Sequence, residues 1–296
     1  MNPRSILRQP VLTIAIHARE TRWTLGRAGR IRARGQVSLP PGLVDDGVVA
    51  DAGALGLLLR EARDFPGSRR MLVMVALPAQ RCVVRQLELP PLGGKQFNEM
   101  VEREIRREMP MLGDNADVAW KRISATADHA VVLVVSLARD VVESHVAAIR
   151  AARLQPAAAD LRIICAARAL GAADGVIADV EDDEVELAIF RRGVPVVLRS
   201  VPMAAPCGEP AWSEQLAEEL NRTIKFYRDS HRHDESFDGL PISLVGGAAQ
   251  YVETTGAVAS ATGRLVMVPD AYATVERETD PRFAVNVGLA LKAEAA

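Results

Sequence analysis

No apolar run in this sequence reaches the roughly 18–20 residues that a membrane-spanning helix requires. The longest, AVVLVVSLA at 130–138, has the length of a core strand. The opening MNPRSILRQP lacks the apolar centre of a signal peptide. Cysteine is scarce too. Cys82, Cys165 and Cys207 are odd in number, far apart and without C-x-x-C spacing, which argues against a disulfide framework or a cysteine-built zinc site. Aromatics form only 4% of the chain and no basic patch interleaves with them, so nucleic-acid binding is not expected. A net charge of -2 gives no global attraction to polyanions. These absences predict a soluble, cytoplasmic chain whose 296 residues, 49% of them apolar, suffice for one large or two ordinary domains.

Signatures of chemistry are equally sparse. Gly93-Gly94-Lys95 lacks the upstream glycine and the following hydroxyl of a phosphate loop. There is no G-x-S-x-G and no H-E-x-x-H. His231, His233, Asp234 and Glu235 stand in a polar stretch without a second ligand cluster, so no metal site is expected there. His17, His129 and His145 are isolated, and His145 reads as a helix-flank residue. The segment Leu244-Val245-Gly246-Gly247-Ala248-Ala249 has two readings. Paired glycines after a buried strand admit a close-lying ligand, with a following helix N-terminus to bind an anion; a purely structural turn has the same sequence.

What the chain does carry is unevenly placed charge. Residues 1–34 hold Arg4, Arg8, Arg19, Arg22, Arg27, Arg30, Arg32 and Arg34 against one acid, Glu20. This is either a solvated strand face or a surface drawn to anionic headgroups, at about 1 kcal/mol per basic residue. Further on, IADVEDDEVELAIF (177–190) sets Asp179, Glu181, Asp182, Asp183, Glu184 and Glu186 between two apolar runs. The cluster reads as a metal cage, a catalytic acid pair or a turn.

Periodicity orders the elements. Alternating strands are predicted at 11–18, 21–27 and 30–39, with a turn at Gly26-Arg27-Ala28-Gly29. A helix follows Asp51, and MLVMVAL (71–77) is a buried strand closed by Pro78. Residues 82–154 then read β-α-β-β-α, with the first helix carrying Phe97, Met100, Val101, Ile105 and Met109 at helical spacing and ending at Pro110. QPAAAD links to the helix LRIICAARALG, three strands follow over 175–202, and a helix aligns Trp212, Leu216, Leu220, Ile224 and Tyr227. The strands PISLVGGAAQ and RLVMV and the helix RFAVNVGLALKAEA close the chain.

In that order, four segments resemble the PilM family, the cytoplasmic actin-like, FtsA-related proteins of type IV pilus machines. They are VALPAQRCVVRQLELPPL…EMVEREIRREMP, VVLVVSLARDVVESHVAAIRAARLQPAAADLRIICAARAL, LAEELNRTIKFYRDS…ISLVGGAAQ and RFAVNVGLALK. An MshI-like branch is a further member of the resemblance. The likeness implies an α/β, ribonuclease H-like two-domain fold with an inserted α+β subdomain and a shortened second domain. The first domain would comprise 1–77, 155–172 and 283–296, the insertion 78–154, and the second domain 173–282.

The family fold closes around a nucleotide, and the sequence departs from it where phosphates would sit. Where the first hairpin should read like D-I-G-S, it reads IAIHARETRW; where the second should read D-x-G-T, it keeps Asp179 and loses the glycine to acids. Each such acid would repel a triphosphate by roughly several kcal/mol at close range. The acids of 179–186 are therefore expected to form a solvated turn that excludes phosphate. Asp179, Gly246, Gly247 and Ala248 are the remnants of a cofactor site, with ATP and Mg the cofactor in question. The resemblance implies a non-catalytic scaffold, peripheral at the inner membrane, that captures the N-terminal tail of a PilN-like protein; a working ATPase and an FtsA-like filament former are the alternatives. The groove for that tail is expected at Leu77, Val83, Arg85, Phe97, Val101 and Ile105, where an extended segment could add to the strand 82–89.

Overall fold

The computed structural model describes residues 10–27, 30–62, 65–66, 71–110, 115–269 and 280–295. The Ala28-Gly29 part of the first predicted turn, together with Arg4 and Arg8, lies outside them. The chain runs β1 (Val11–Ile16), β2 (Glu20–Arg27), β3 (Arg30–Ser38), β4 (Val44–Asp45), β5 (Val48–Val49), α1 (Ala52–Glu61), β6 (Leu72–Leu77) and β7 (Cys82–Leu89). Then come α2 (Gly94–Glu108), β8 (Ala116–Ala125), β9 (Ala130–Ala138), α3 (Arg139–Ala151), β10 (Pro156–Leu161) and α4 (Arg162–Leu170). The remainder is β11 (Gly175–Val180), β12 (Glu184–Arg191), β13 (Val194–Pro202), α5 (Pro210–Ser230), β14 (Ile242–Val245), α6 (Val252–Thr262), β15 (Val266–Met267) and α7 (Ala284–Ala295).

Two five-stranded sheets carry the architecture, ordered β3-β2-β1-β6-β10 and β13-β12-β11-β14-β15. In each, three antiparallel strands are extended by two parallel ones. Each half is thus the same unit: a three-stranded meander, then helix, strand, helix, strand, helix. The order α3-β10-α4 in the first half matches α6-β15-α7 in the second. By this correspondence the element inserted after β6 is β7-α2-β8-β9, and α3 belongs to the first repeat. Its buried Val141, Ala148 and Ile149 pack with Leu55 and Leu59 of α1 on the first sheet, although the sequence reading grouped them with the insertion.

The period-two alternation of the central strands divides the core. Leu12, Ile14 and Ile16 of β1 face α1 and α3, whereas Ala15 faces the opposite way. Val176, Ala178 and Val180 of β11 face α5 and α6, whereas Ile177 faces away. Between the two sheets lie α4 and α7, joined to both in one apolar cluster. Their contact is close: a Cβ on Gly288 would fall 1.8 Å from the Cys165 carbonyl oxygen. Small residues are what allow two helices to share this single layer.

Local signals account for most boundaries. The Asp51 carboxylate accepts from the Ala54 N–H at 2.8 Å, capping α1. Arg192 (φ +53°) and Gly193 (φ +74°) turn β12 into β13. Two elements escape the sequence patterns. PAAADL is an edge strand parallel to β6, with proline at its first position, where no ladder N–H is required. VETTGAVASAT forms α6 with little segregation of polar from apolar faces. His145 is fully buried, not flanking: its Nδ1 lies 2.9 Å from the Val141 carbonyl oxygen.

Candidate functional site

The same alternation that builds the core aims a set of charged side chains inward. In β11, Asp179 shares the inner face with Ile177; in β12, Glu186 shares it with Ala188 and Phe190. In the first sheet Arg22 pairs across from Ala15, so it too points between the sheets. Both hairpins end at one edge of the molecule, so their tips meet over a cleft.

Asp179, Glu181, Glu184 and Glu186 are all buried. The expectation of a solvated acidic turn therefore fails for four of the six carboxylates; Asp182 is exposed and Asp183 half-buried. The reason is two arginines distant in sequence. Arg22, 1% exposed, grips Glu181 in bidentate fashion, with Nη1–Oε1 2.7 Å and Nη2–Oε2 2.6 Å. Its Nη1 also donates to the Arg282 carbonyl oxygen at 3.1 Å. Arg162, at the start of α4, donates to Glu186 Oε1 through Nε at 2.9 Å and to Glu184 through Nη2. A cation in the first turn of a helix opposes the helix dipole, and these carboxylates compensate it. The Ala79 N–H donates to Glu186 at 2.8 Å, and the Gln80 amide to Glu184. At the rim, Arg19 meets Asp183 at 3.3 Å.

Burial sets the protonation of this network. It opposes the charge on Arg22, but Glu181 and Glu20 outweigh it and hold the guanidinium charged. For Arg162 the burial cost is likewise exceeded by Glu184 and Glu186. His17 is pushed well below its ordinary value, first by burial and then by the two arginines. Arg162 Nη1 lies 2.9 Å from His17 Nδ1. Since guanidinium can only donate, Nδ1 accepts and the imidazole is neutral, with its proton on Nε2. Among the described residues, Asp179 has no hydrogen-bond partner on either oxygen. Burial, then Glu181, pushes it up to about 8.

The glycine turn belongs to the same site. Gly246 has φ +97°, and a Cβ there would lie 2.5 Å from the Val180 carbonyl oxygen. The Gly247 N–H donates to Glu181 Oε2 at 3.3 Å. These glycines let the turn press against the acidic hairpin, and Ala248 is buried beneath it. The space between the hairpin tips and this turn is about 160 Å³, below the roughly 300–1,000 Å³ of small-molecule sites. A nucleotide triphosphate does not fit these residues: the backbone donor that would approach a phosphate is engaged by Glu181, and Arg22 is consumed by the same carboxylate. Among the described residues no group of three or more His, Cys, Asp or Glu side chains is disposed to hold a metal ion. His231 stacks on Tyr227, with centroids 4.3 Å apart.

On the far side of the network lies a larger cavity of about 560 Å³, bounded by the β4–β5 turn, residues 78–82 at the start of β7, and residues 198–202 of β13. Of the expected groove residues, Leu77 belongs to the core of the first sheet, and Phe97, Val101 and Ile105 form the core between α2 and its three-stranded sheet, β7-β9-β8. Arg122 covers the Phe97 ring at 3.7 Å. Val83 and Arg85 are exposed. The structure thus does not bring the six together as one open surface. Arg22 and Arg162 were not singled out as site residues from sequence. Only Arg162 carried a local signal, a charge opening an otherwise apolar helix; Arg22 alternates with Glu20, Thr24 and Gly26 on a polar strand face, which gave none.

Two ribonuclease H-like sheets closing on a cleft, with a small insertion in the first half, make this an actin-like protein. Residues 14–197 match the type IV pilus assembly protein PilM family, and the chain belongs to that family. Among curated proteins no sequence matches. The fold is similar to that of the PilM-PilN type IV pilus biogenesis complex, with TM-score 0.72 and 20% identity over 96% of this chain and 98% of that one. It is also similar to the ethanolamine utilization protein EutJ of Carboxydothermus hydrogenoformans (TM-score 0.57, 15% identity, 95% and 88% coverage). The cytoplasmic domain of EpsL, an inner-membrane component of the Vibrio cholerae type II secretion system, is a third (TM-score 0.54, 16% identity, 97% and 96% coverage).

Proposed function

We propose that the protein is a non-catalytic scaffold of a type IV pilus or related secretion machine, held at the cytoplasmic face of the inner membrane by capturing the N-terminal tail of a PilN-like protein. The observation that carries this reading is the division of space around the hairpin tips. The cleft is filled by the chain's own ion pairs, while the 560 Å³ cavity stays open beside the start of β7. Hydrolysis needs positioned phosphate, metal and water, and here Glu181, Glu184 and Glu186 would repel the phosphate and are already engaged by Arg22 and Arg162.

Among the described residues, β7 pairs only with β9. Its other edge makes no strand pairing among the described residues, although β13 approaches β7; an extended segment added there would gain affinity from its backbone while its side chains enter the cavity. Val83 and Arg85 are the exposed groove neighbours; Phe97, Val101 and Ile105 pack under the far end of the strand at Leu89, while Leu77 belongs to the first sheet. The PilM-PilN complex supports the choice of partner. No described helix is long and apolar enough to cross a membrane, so membrane attachment would come through the partner, aided by the arginines of residues 1–34 that remain at the surface.

The test is fluorescence anisotropy with a labelled synthetic peptide, the cytoplasmic N-terminus of a PilN-like single-span membrane protein from the same genome. Saturable binding that falls about tenfold or more (1.4 kcal/mol per decade) in a Val83→Asp, Arg85→Glu variant is the expected result. A folded protein that binds no such tail would refute the reading.

A further inference from the structure

We propose that the Arg22–Glu181 and Arg162–Glu184–Glu186 ion pairs are a built-in clamp that holds the two sheets closed without any ligand between them. Every link of this clamp joins parts of the chain that the fold keeps separate. Arg22 sits on β2 of the first sheet and Glu181 on the hairpin of the second, 159 residues apart. Arg162 enters from α4, and Glu184 and Glu186 stand on β12. The Ala79 N–H, just after β6, reaches Glu186 as well.

Geometry makes this a clamp and not merely a set of surface pairs. On one side, α4 and α7 fill the space between the sheets with apolar side chains, fixing the base of the cleft. On the other side the two hairpin tips, the glycine turn, the start of α4 and residues 79–80 converge, and the buried charged cross-links are there. The carboxylate of Glu181 accepts from the forked guanidinium of Arg22 and from the Gly247 N–H. It therefore occupies, as a tethered anion, the point where the two sheets and the turn converge. Both partners are buried, with side-chain exposures of 1% and 8%. Opening the cleft would separate charges that are already desolvated; Arg22 would keep Glu20, which its Nε meets at 2.5 Å on the same strand, whereas Glu181 would leave its only arginine partner among the described residues.

The clamp also shapes the larger cavity. Arg162 and Glu184 form part of its wall, and residues 198–202 of β13 form another part. Closure of the sheets thus sets the cavity's width. The inference is independent of which peptide, if any, enters that cavity, because its readout is the separation of the sheets.

The experiment combines small-angle X-ray scattering with hydrogen exchange on the full chain. Wild type alone is expected to scatter as the closed molecule, with a radius of gyration of about 19 Å for a compact chain of this length, and to stay unchanged on adding Mg-ATP. Glu181→Gln and Arg162→Met are expected to scatter with a larger radius. Exchange should rise at Ala79 and Gly247, while β1 and β11 keep their protection. The double variant Arg22→Met, Glu181→Met removes both charges at once and separates loss of the clamp from the strain of a lone buried ion. Contraction of the wild type on Mg-ATP would overturn the proposal, because closure would then need a ligand. So would folded variants whose scattering and exchange match the wild type.

Discussion

At the scale of single residues, the molecule places its most costly groups where two sheets meet. Asp179 is buried, faces Glu186 on the neighbouring strand and has no hydrogen-bond partner among the described residues. Its pKa is pushed up to about 8 by burial and by Glu181, against about 3.9 in an unfolded chain. The unfolded state therefore loses this proton first. Stability is expected to fall as pH rises from about 4 toward 8, and to level off above that. Asp179→Asn should raise the thermal midpoint relative to wild type at pH 8.5 and leave it nearly unchanged at pH 4, as read by calorimetry. An equal shift at both pH values would show that the proton plays no part. Gly288 makes a second prediction. Alanine there would drive a Cβ into the Cys165 carbonyl and push α4 from α7, costing about 1–3 kcal/mol or more in urea unfolding.

At the scale of elements, the insertion divides its residues between packing and exposure. Phe97 seals α2 against its sheet, so Phe97→Ala should cost about 3–5 kcal/mol of local or global stability, visible as increased exchange across α2 and β9. Val83 and Arg85 share the face of β7 that carries Leu87 and Leu89 but are exposed, so replacing them should change tail binding with little effect on unfolding. A single apolar residue gives no indication in sequence of whether it lies over or under a sheet. Phe97, Val101 and Ile105 repeat at helical spacing in either case, and only the presence of β7 and β9 beneath them made them core. The same applies to α3. Its apolar stripe is plain in the sequence, but which sheet it covers was decided by the chain's return to β10.

At the scale of the whole molecule, the cleft behaves as a closed joint. Calorimetric titration with Mg-ATP is expected to give no saturable heat, because Glu181 already engages Arg22 and the Gly247 N–H. Tight, metal-dependent binding abolished by Asp179→Asn would reverse the non-catalytic reading. The duplicated order of the two sheets was not visible in the sequence, since the halves share topology while their residues differ. The meander of strands, the paired glycines after a buried strand and the order of helices were legible, because each rests on local periodicity or turn chemistry.

The amino-acid sequence by itself determined the period-two strands, the capped and proline-bounded helices, the lost glycine of the second hairpin and, through the order of four segments, the family. These depend on contacts within a few residues or on the pattern of one element. The meaning of the acidic run at 179–186 was decided only by tertiary structure. Read locally, six carboxylates around a turn belong in water; in the folded chain four of them are buried, and Arg22 and Arg162 arrive from more than 150 and more than 20 residues away to pair with Glu181, Glu184 and Glu186. Burial of charge depends on partners that only the folded chain brings together, and for that reason the decisive feature of this site could not be read from the run of acids alone.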